Sequence, residues 1–431
     1  MRTERVCDDL IIERKSGSFS IGKILIAVIL VGVLVWFAGW GRKMIPAFNP
    51  QNMVEEESTD DYFDFDDFYY DEITTTPAFD ASASLDYARK QLSGAEAELY
   101  DMLYASFSNK EFTIVNGLDA VTPEKAQEVI NYIMLDHPEL FWLDGGLSWT
   151  EDNDTGYLQK IELNQDYGFI CEPSKIASLE AAAFKAADEI IAQAENLGSD
   201  YEKAIFVHDL LVDKLTYSTS LVDRRFSLPK DTPEPTDISI GCSMYGALVD
   251  NLTVCEGYAR AYQYIMKEMG IECTYIGGES HGEGHAWNLI RLDGEYYYVD
   301  VTWDDPVPQA GQEESLWHTY AFVTSEQFNK DHTPEIGDIT LPVATATKCN
   351  YYRVNGIWMD SYSYEAAKTC IKNCFDKNLP IEFGLSDKAE TDKAMAALFD
   401  NGDFNKIMEE LGKETGAVSY TYLGTAIKIY L

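Results

Sequence analysis

Cations are scarce in this 431-residue chain: 33 Lys and Arg stand against 73 Asp and Glu, a formal charge of −40. Such a polyanion is repelled by phosphate backbones, so nucleic acid is excluded as an expected partner. Cysteine is sparse too, with eight residues, no C-x-x-C pair and no Cys/His spacing that reads as a zinc site. No metal and no cofactor is therefore expected. Cys370 and Cys374 lie one helical turn apart and could pair. With Cys7 on the inner side of the membrane (see below), seven cysteines remain outside, and an odd number leaves at least one free thiol. Disorder is excluded for most of the chain, because 46% of residues are hydrophobic and 13% aromatic. The length allows two or three domains at about 150 residues each.

One stretch lacks charge altogether. Ile24 to Trp40 is a run of 17 uncharged, nearly all apolar residues. As a helix it would be about 26 Å long, near the lower limit for a bilayer. Trp36 and Trp40 suit an interfacial belt, and five Lys/Arg precede the run (Arg2, Arg5, Arg14, Lys15, Lys23) against two just after it (Arg42, Lys43). The expectation is a cytoplasmic tail at 1–23, a single-pass anchor at 24–40 in the cell membrane, and an extracytoplasmic remainder. A cleaved leader is the rival, but it would have a shorter apolar region and a small-residue cleavage site. The run ends instead in Gly39-Trp40-Gly41-Arg42.

Residues 41–84 read as an acidic linker. Glu55 to Glu72 holds ten Asp/Glu, six Tyr/Phe and no Lys or Arg, a density of like charge that opposes compaction. Residues 85–170 read as a small α+β domain. Its helical spacing runs over 85–106 and 123–136, with Thr122-Pro123-Glu124 as a helix start, and strands at 140–150 and 157–165 follow as a hairpin. The third unit, 171–336, opens with two amphipathic helices over 174–215. His208 lies among apolar positions on the second and reads as a packed residue. Residues 219–240 read as a loop. The last unit, 337–431, alternates strand (349–360), helix (364–376), strand (380–384), helix (388–412) and two strands (417–423, 425–431), a second α+β domain without a reactive constellation.

Chemistry concentrates in 242–306. Cys255 opens a stretch with Ala259, Tyr262, Met266 and Met269 at helical spacing, ended by Gly270. A cysteine at a helix N-terminus is stabilised as the thiolate by backbone N–H groups and the helix dipole. Residues 285–292 and 295–303 are strand-like and joined by Asp293-Gly294, a strong hairpin signal. Pairing Leu292 with Glu295 makes His285, Trp287, Asp300 and Thr302 project from one face, with His285 and Asp300 as diagonal neighbours. An imidazole that moves the thiol proton and a carboxylate that orients it complete the set for acyl transfer through a thioester. His281, in the glycine-rich segment 277–284, is the rival base and is expected to be mobile. Asp304 and Asp305, before Pro306, are the rival orienters and look like turn residues.

Three ordered blocks carry a resemblance: Val254-Cys255-Glu256-Gly257-Tyr258-Ala259, His285-Ala286-Trp287-Asn288 and Tyr298-Val299-Asp300-Val301-Thr302-Trp303. Together with His208-Asp209-Leu210-Leu211, Leu215-Thr216-Tyr217 and Tyr245-Gly246-Ala247-Leu248, they resemble the transglutaminase-like superfamily over roughly 175–335. The resemblance implies a papain-like α+β core, a cysteine-bearing helix on an antiparallel sheet, with Cys255, His285 and Asp300 as triad. It places Tyr245 near the oxyanion; apart from the resemblance, Trp287 beside His285 on the strand face and His281 in the glycine-rich segment are further substrate-contacting candidates. No acidic cluster matches the calcium sites of animal transglutaminases. The activity implied is a cysteine acyltransferase on peptide or protein amides, giving crosslinks or deamidation. A cysteine protease or amidase of the same fold, or a non-catalytic envelope scaffold, are the alternatives.

Overall fold

The computed structural model describes residues 85–431 apart from 119, 230–231, 233, 308–315, 338 and 417, together with the backbone of Glu13–Arg14. The charge-free run 24–40 and the acidic linker lie outside the described residues, and within them no helix is long and apolar enough to cross a membrane.

The chain is α+β throughout. Its central element is the helix Cys255–Glu268, which packs on a five-stranded antiparallel sheet. In spatial order the strands are Ala321–Val323, Glu295–Val299, Glu283–Leu292, Cys273–Ser280 and His332–Pro334. The register of the middle hairpin follows from its turn. Asp293 and Gly294 both take positive φ (52° and 84°), as a two-residue primed turn requires, and Leu292 pairs with Glu295. The second strand of that hairpin is shorter than expected. It stops at Val299, and the chain coils into a turn in which Asp304 N donates to Asp300 O. The glycine-rich segment 277–284 is also ordered strand rather than a mobile loop. Cys273–Ser280 pairs along its length with Glu283–Ile290, turning only at His281-Gly282. Gly278 belongs there because a Cβ would lie 2.1 Å from Thr333 O and 2.5 Å from Trp287 Cη2. Its bareness lets the edge strand close over Trp287.

The N-terminal unit backs the cysteine helix. Pro123–Asp136 starts where expected, with Thr122 Oγ1 accepting from Lys125 N, and the hairpin Leu147–Glu151/Leu158–Leu163 forms. Arg260 and Gln263, on the cysteine helix, donate to the carbonyls of Met134 and Leu135. Lys267 pairs with Asp86 at 2.7 Å. These bonds satisfy the end of the helix Pro123–Asp136 and fix the azimuth of the cysteine helix together. Glu13–Arg14 runs as a two-residue strand parallel to Ser148–Trp149.

Three other readings are corrected. Residues 219–240 contain the helices Thr219–Ser227 and Thr236–Gly241 instead of a continuous loop. Residues 349–360, rich in aromatics, form a helical turn, Tyr351–Asn355, before a two-residue strand. Asn350 caps that turn by accepting from Arg353 N, and Gly356 ends it at φ 68°. Capping chemistry at both ends outweighs the β preference between them. The expected helix 388–412 is interrupted at Ala396–Asp400 and Gly402. The C-terminal sheet orders Trp358–Met359, Ile381–Leu385, Ala426–Tyr430 and Ser419–Leu423.

Candidate active site

Cys255 occupies the first turn of its helix, after the extended Val254. Gly257 makes that position possible, because a Cβ there would lie 1.9 Å from Thr253 Oγ1 and 2.8 Å from Ser243 O. Asn288 ties the same helix to the sheet, with Nδ2 donating to Ala259 O at 3.0 Å and Thr274 O at 3.3 Å. All seven described cysteines are free thiols, and only Cys255 is partly exposed. Burial pushes Cys242 and Cys370 up to about 12 and Cys374 to about 11. Cys370 and Cys374 are thus buried, separate thiols.

His285 Nε2 donates to Asp300 Oδ2 at 2.6 Å. His285 is 8% exposed and Asp300 is fully buried. Burial disfavours the imidazolium, but the charge of Asp300, its hydrogen bond and a hydrogen bond with Cys255 together raise the ring to about 10. Burial alone would lift the Asp300 carboxyl. The charge and hydrogen bond of His285, with those of His332, instead hold it well below the usual carboxylate range. With Nε2 committed to Asp300, Nδ1 is the nitrogen left for the thiol. The three side chains thus meet: sulfur at a helix start, imidazole on a strand, carboxylate at the strand's exit.

The other candidates fall in different places. Trp287 is 1% exposed and packs beneath His285 at 5.8 Å between ring centroids, against Phe328 on its other side. That burial corrects the expectation of substrate contact and gives Trp287 a packing role. Tyr245 packs on Phe141 at 5.9 Å, and among the described residues no hydrogen bond or ring contact joins it to Cys255 or His285. Tyr217, from the strand before the helix Thr219–Ser227, lines the cleft beside His285 in its stead, together with Glu283, Thr302, Trp303 and Asp305. His281 stands at the hairpin tip with φ 51° and stacks flat on Trp303 (5.1 Å, 2°), so the ring is held. Burial lowers its basicity. Asp304 lies in a turn, as expected, but is fully buried there, accepting from His208 Nε2 and Tyr320 N, each at 3.1 Å. Asp305 accepts from Tyr258 OH at 2.6 Å.

His332 was not legible as a site residue. It lies on the short edge strand, and its Nε2 reaches the same Asp300 oxygen at 3.1 Å. Among the described residues two trios have ligand atoms close enough to hold a metal ion: His285, Asp300 and His332, and His208, Asp209 and His318. In each, the short contacts are imidazole–carboxylate hydrogen bonds.

Residues 186–301 match the profile of the transglutaminase-like superfamily core. The mouse kyphoscoliosis peptidase is 28% identical over a segment covering 24% of this chain, and the human protein matches equally. The matched segment spans 16% of the length of these curated relatives. A crystal structure of a TGase superposes with a TM-score of 0.27 at 12% identity, over 39% of this chain and 47% of that one. The family profile spans both Cys255 and the His285–Asp300 pair, and over these residues the chain is similar to the transglutaminase-like superfamily core.

Proposed function

We propose that the protein is a thiol acyltransferase acting on peptide or protein amides. The observation that carries this reading is the 2.6 Å bond between buried Asp300 and His285, with Cys255 as the ring's other partner. Cys255 attacks the amide carbonyl, and the Cys255 N–H at the helix start donates to the oxyanion. The His285 imidazolium protonates the leaving amine, releasing it and leaving the acyl group on sulfur. A second nucleophile then attacks the thioester through the now neutral His285. An amine gives an isopeptide crosslink, and water gives deamidation or peptide cleavage.

Incubation with a glutamine-containing protein and a labelled primary amine tests the reading by mass spectrometry. The expected outcome is incorporation, or release of ammonia or new termini, that Cys255→Ala abolishes. Label that persists in the variant, or no product of any of the three kinds across a broad substrate set, would sink it. The peptidase outcome is the second reading, favoured by the name of the kyphoscoliosis peptidases that share this segment.

We also propose that 24–40 anchors the chain in the membrane with the catalytic unit outside. The charge-free run and the flanking cations support this. The strand pairing of Glu13–Arg14 beside Ser148 stands against it, and two residues of edge ladder form a small contact beside a 17-residue apolar run. A membrane-impermeant thiol reagent applied to intact cells decides. Cys255 is expected to label, since the other six described cysteines are buried, and Cys7 is expected to stay protected until the cells are lysed. Labelling of Cys7 in intact cells overturns the topology.

A further inference from the structure

His332 plays no part in the chemistry above, yet its environment is built around Asp300. Nε2 is 3.1 Å from Asp300 Oδ2, the oxygen that also accepts from His285. Nδ1 is 2.6 Å from Asp331 Oδ1, and Asp331 Oδ2 accepts from Tyr320 OH at 2.8 Å. The ring is 1% exposed and stacks on Phe328 at 3.9 Å, with Trp303 at 4.6 Å and Trp287 at 5.0 Å. Asp300 Oδ1 is taken by Trp303 N at 3.0 Å. Three donors therefore hold one carboxylate that no water reaches.

The donors differ in what the reaction does to them. When His285 gives its proton to a leaving amine, it becomes neutral, and Asp300 loses its charged partner while still buried. A buried carboxylate left with too few donors is costly. The Trp303 N–H and the His332 ring are untouched by that step. Because His332 shares Oδ2 with His285, it also stabilises the carboxylate charge and moderates its pull on the His285 proton.

We propose that His332 is a positioning residue of the acyl-transfer site. It holds Asp300, and through it His285, in register across the catalytic cycle, so that Cys255, His285, Asp300 and His332 work as a four-member chain. This rests on the acyl-transfer reading. Without His332, Asp300 would bind the imidazolium more tightly, making His285 a poorer acid toward the leaving amine. Turnover falls while substrate binding is unaffected. The titratable groups facing the His285–Asp300 pair are Cys255 from the helix, His281 and Glu283 from the hairpin turn, Tyr217 from the cleft wall, Tyr320, and His332 with Asp331 from the edge.

Two substitutions separate hydrogen bonding from packing. His332→Phe keeps an aromatic ring against Phe328 and removes both donors, whereas His332→Gln keeps a donor without the ring. The expected result for the Phe variant is a kcat lower by about 10–100-fold with KM unchanged, the range for removal of such a supporting partner. The Gln variant is expected to recover much of the loss. Alkylation of Cys255 by iodoacetate, an anion drawn to the imidazolium, reads the same effect without any amide substrate. Its alkaline limb, which follows loss of the His285 proton, moves up by roughly one pH unit in the Phe variant. Melting curves check that both variants are folded. If the Phe variant does not fold, the Gln variant and Asp331→Asn carry the same alkylation measurement. A folded Phe variant with wild-type kcat and alkylation profile would overturn the proposal, as would a Gln variant with lowered kcat and an unmoved profile. A shifted alkylation profile in a protein that transfers no acyl group would retain the His332 role and discard the reaction.

Discussion

Asp300→Asn is expected to lower turnover by about 10³–10⁴-fold, the cost of losing the orienting carboxylate in comparable triads. The substitution is nearly isosteric, and its remaining carbonyl can accept from only part of the donor set. His285 Nε2, His332 Nε2 and Trp303 N all now point at Asp300. Both imidazoles address Oδ2 and Trp303 N addresses Oδ1, so the amide N–H must face either the Trp303 N–H or the two imidazoles, and the second orientation flips the His285 tautomer or rotates its ring away from Cys255. The same variant has a signature in stability. His285 is raised to about 10 in the folded protein from an ordinary 6.5 or so. A group raised on folding contributes stability that is complete below its unfolded pKa and is lost as pH rises through the folded one. The wild-type melting temperature should therefore fall between about pH 6.5 and 10 through this group. In Asp300→Asn that part of the fall should vanish. Asp300 itself is depressed on folding, so its contribution is present above its unfolded pKa near 3.9 and is lost as pH drops below that. Melting curves from pH 3 to pH 10 on both proteins check the two limbs. An unchanged alkaline slope would mean that Asp300 does not set the charge of His285.

The parts of this site that could be read from the sequence were those fixed by local chemistry. Asp293-Gly294 dictates a two-residue turn, the turn dictates register, and register brings His285 within reach of Asp300 even though the second strand ends at Val299. Thr122 and Pro123 set a helix start for the same reason. What escaped was determined by distant partners. Gly278 looks like a loop residue because propensity registers only a missing side chain, whereas here the missing Cβ is what lets Thr333 approach. His332 sits on a three-residue edge strand, 32 positions from Asp300, with no periodic pattern around it. Tyr217 reaches the cleft through chain reversal at the end of the helix Asp200–Lys214. Asp304 reads as a turn residue from its neighbours Asp305 and Pro306, and only the fold shows that His208 lies behind it.

That buried pair opens onto the second large effect, at Glu382 in the C-terminal unit. From Asp304 the polar chain runs through His208 to Asp209 at 2.9 Å, then to His318 at 3.1 Å. His318 stacks on Tyr351 and donates its backbone N–H to Glu382 at 3.3 Å. Its Nδ1 stands 3.6 Å from the same carboxylate, an ion-pair separation longer than a hydrogen bond. Glu382 also accepts from Tyr352 OH at 2.6 Å and pairs with Lys428 at 3.1 Å. Burial would raise Glu382, but Lys428, His318 and Tyr352 bring it down to about 2. Glu382→Ala removes the carboxylate shared by these three and takes the charged partner from buried Lys428, so a loss of about 3–5 kcal/mol in unfolding free energy is expected. The partner experiment is Glu382→Leu with Lys428→Met, which removes both charges together. It should be milder than the single change, since the desolvation cost of the pair disappears with the pair. Urea unfolding measures both, and a single variant within about 0.5 kcal/mol of wild type would show that the network carries no net stability. The linkage has a sign here as well. His208 is raised to about 9 against burial by Asp209 and Asp304, so its share of stability is lost as pH climbs through 9. The Glu382 share is present above its unfolded pKa near 4.3 and is lost only as pH falls toward 2. Since Asp304 N closes the turn onto Asp300 O, the C-terminal unit is packed through buried charge onto the segment that presents Asp300. A variant that loosens Glu382 should therefore lose activity at temperatures below those at which it unfolds.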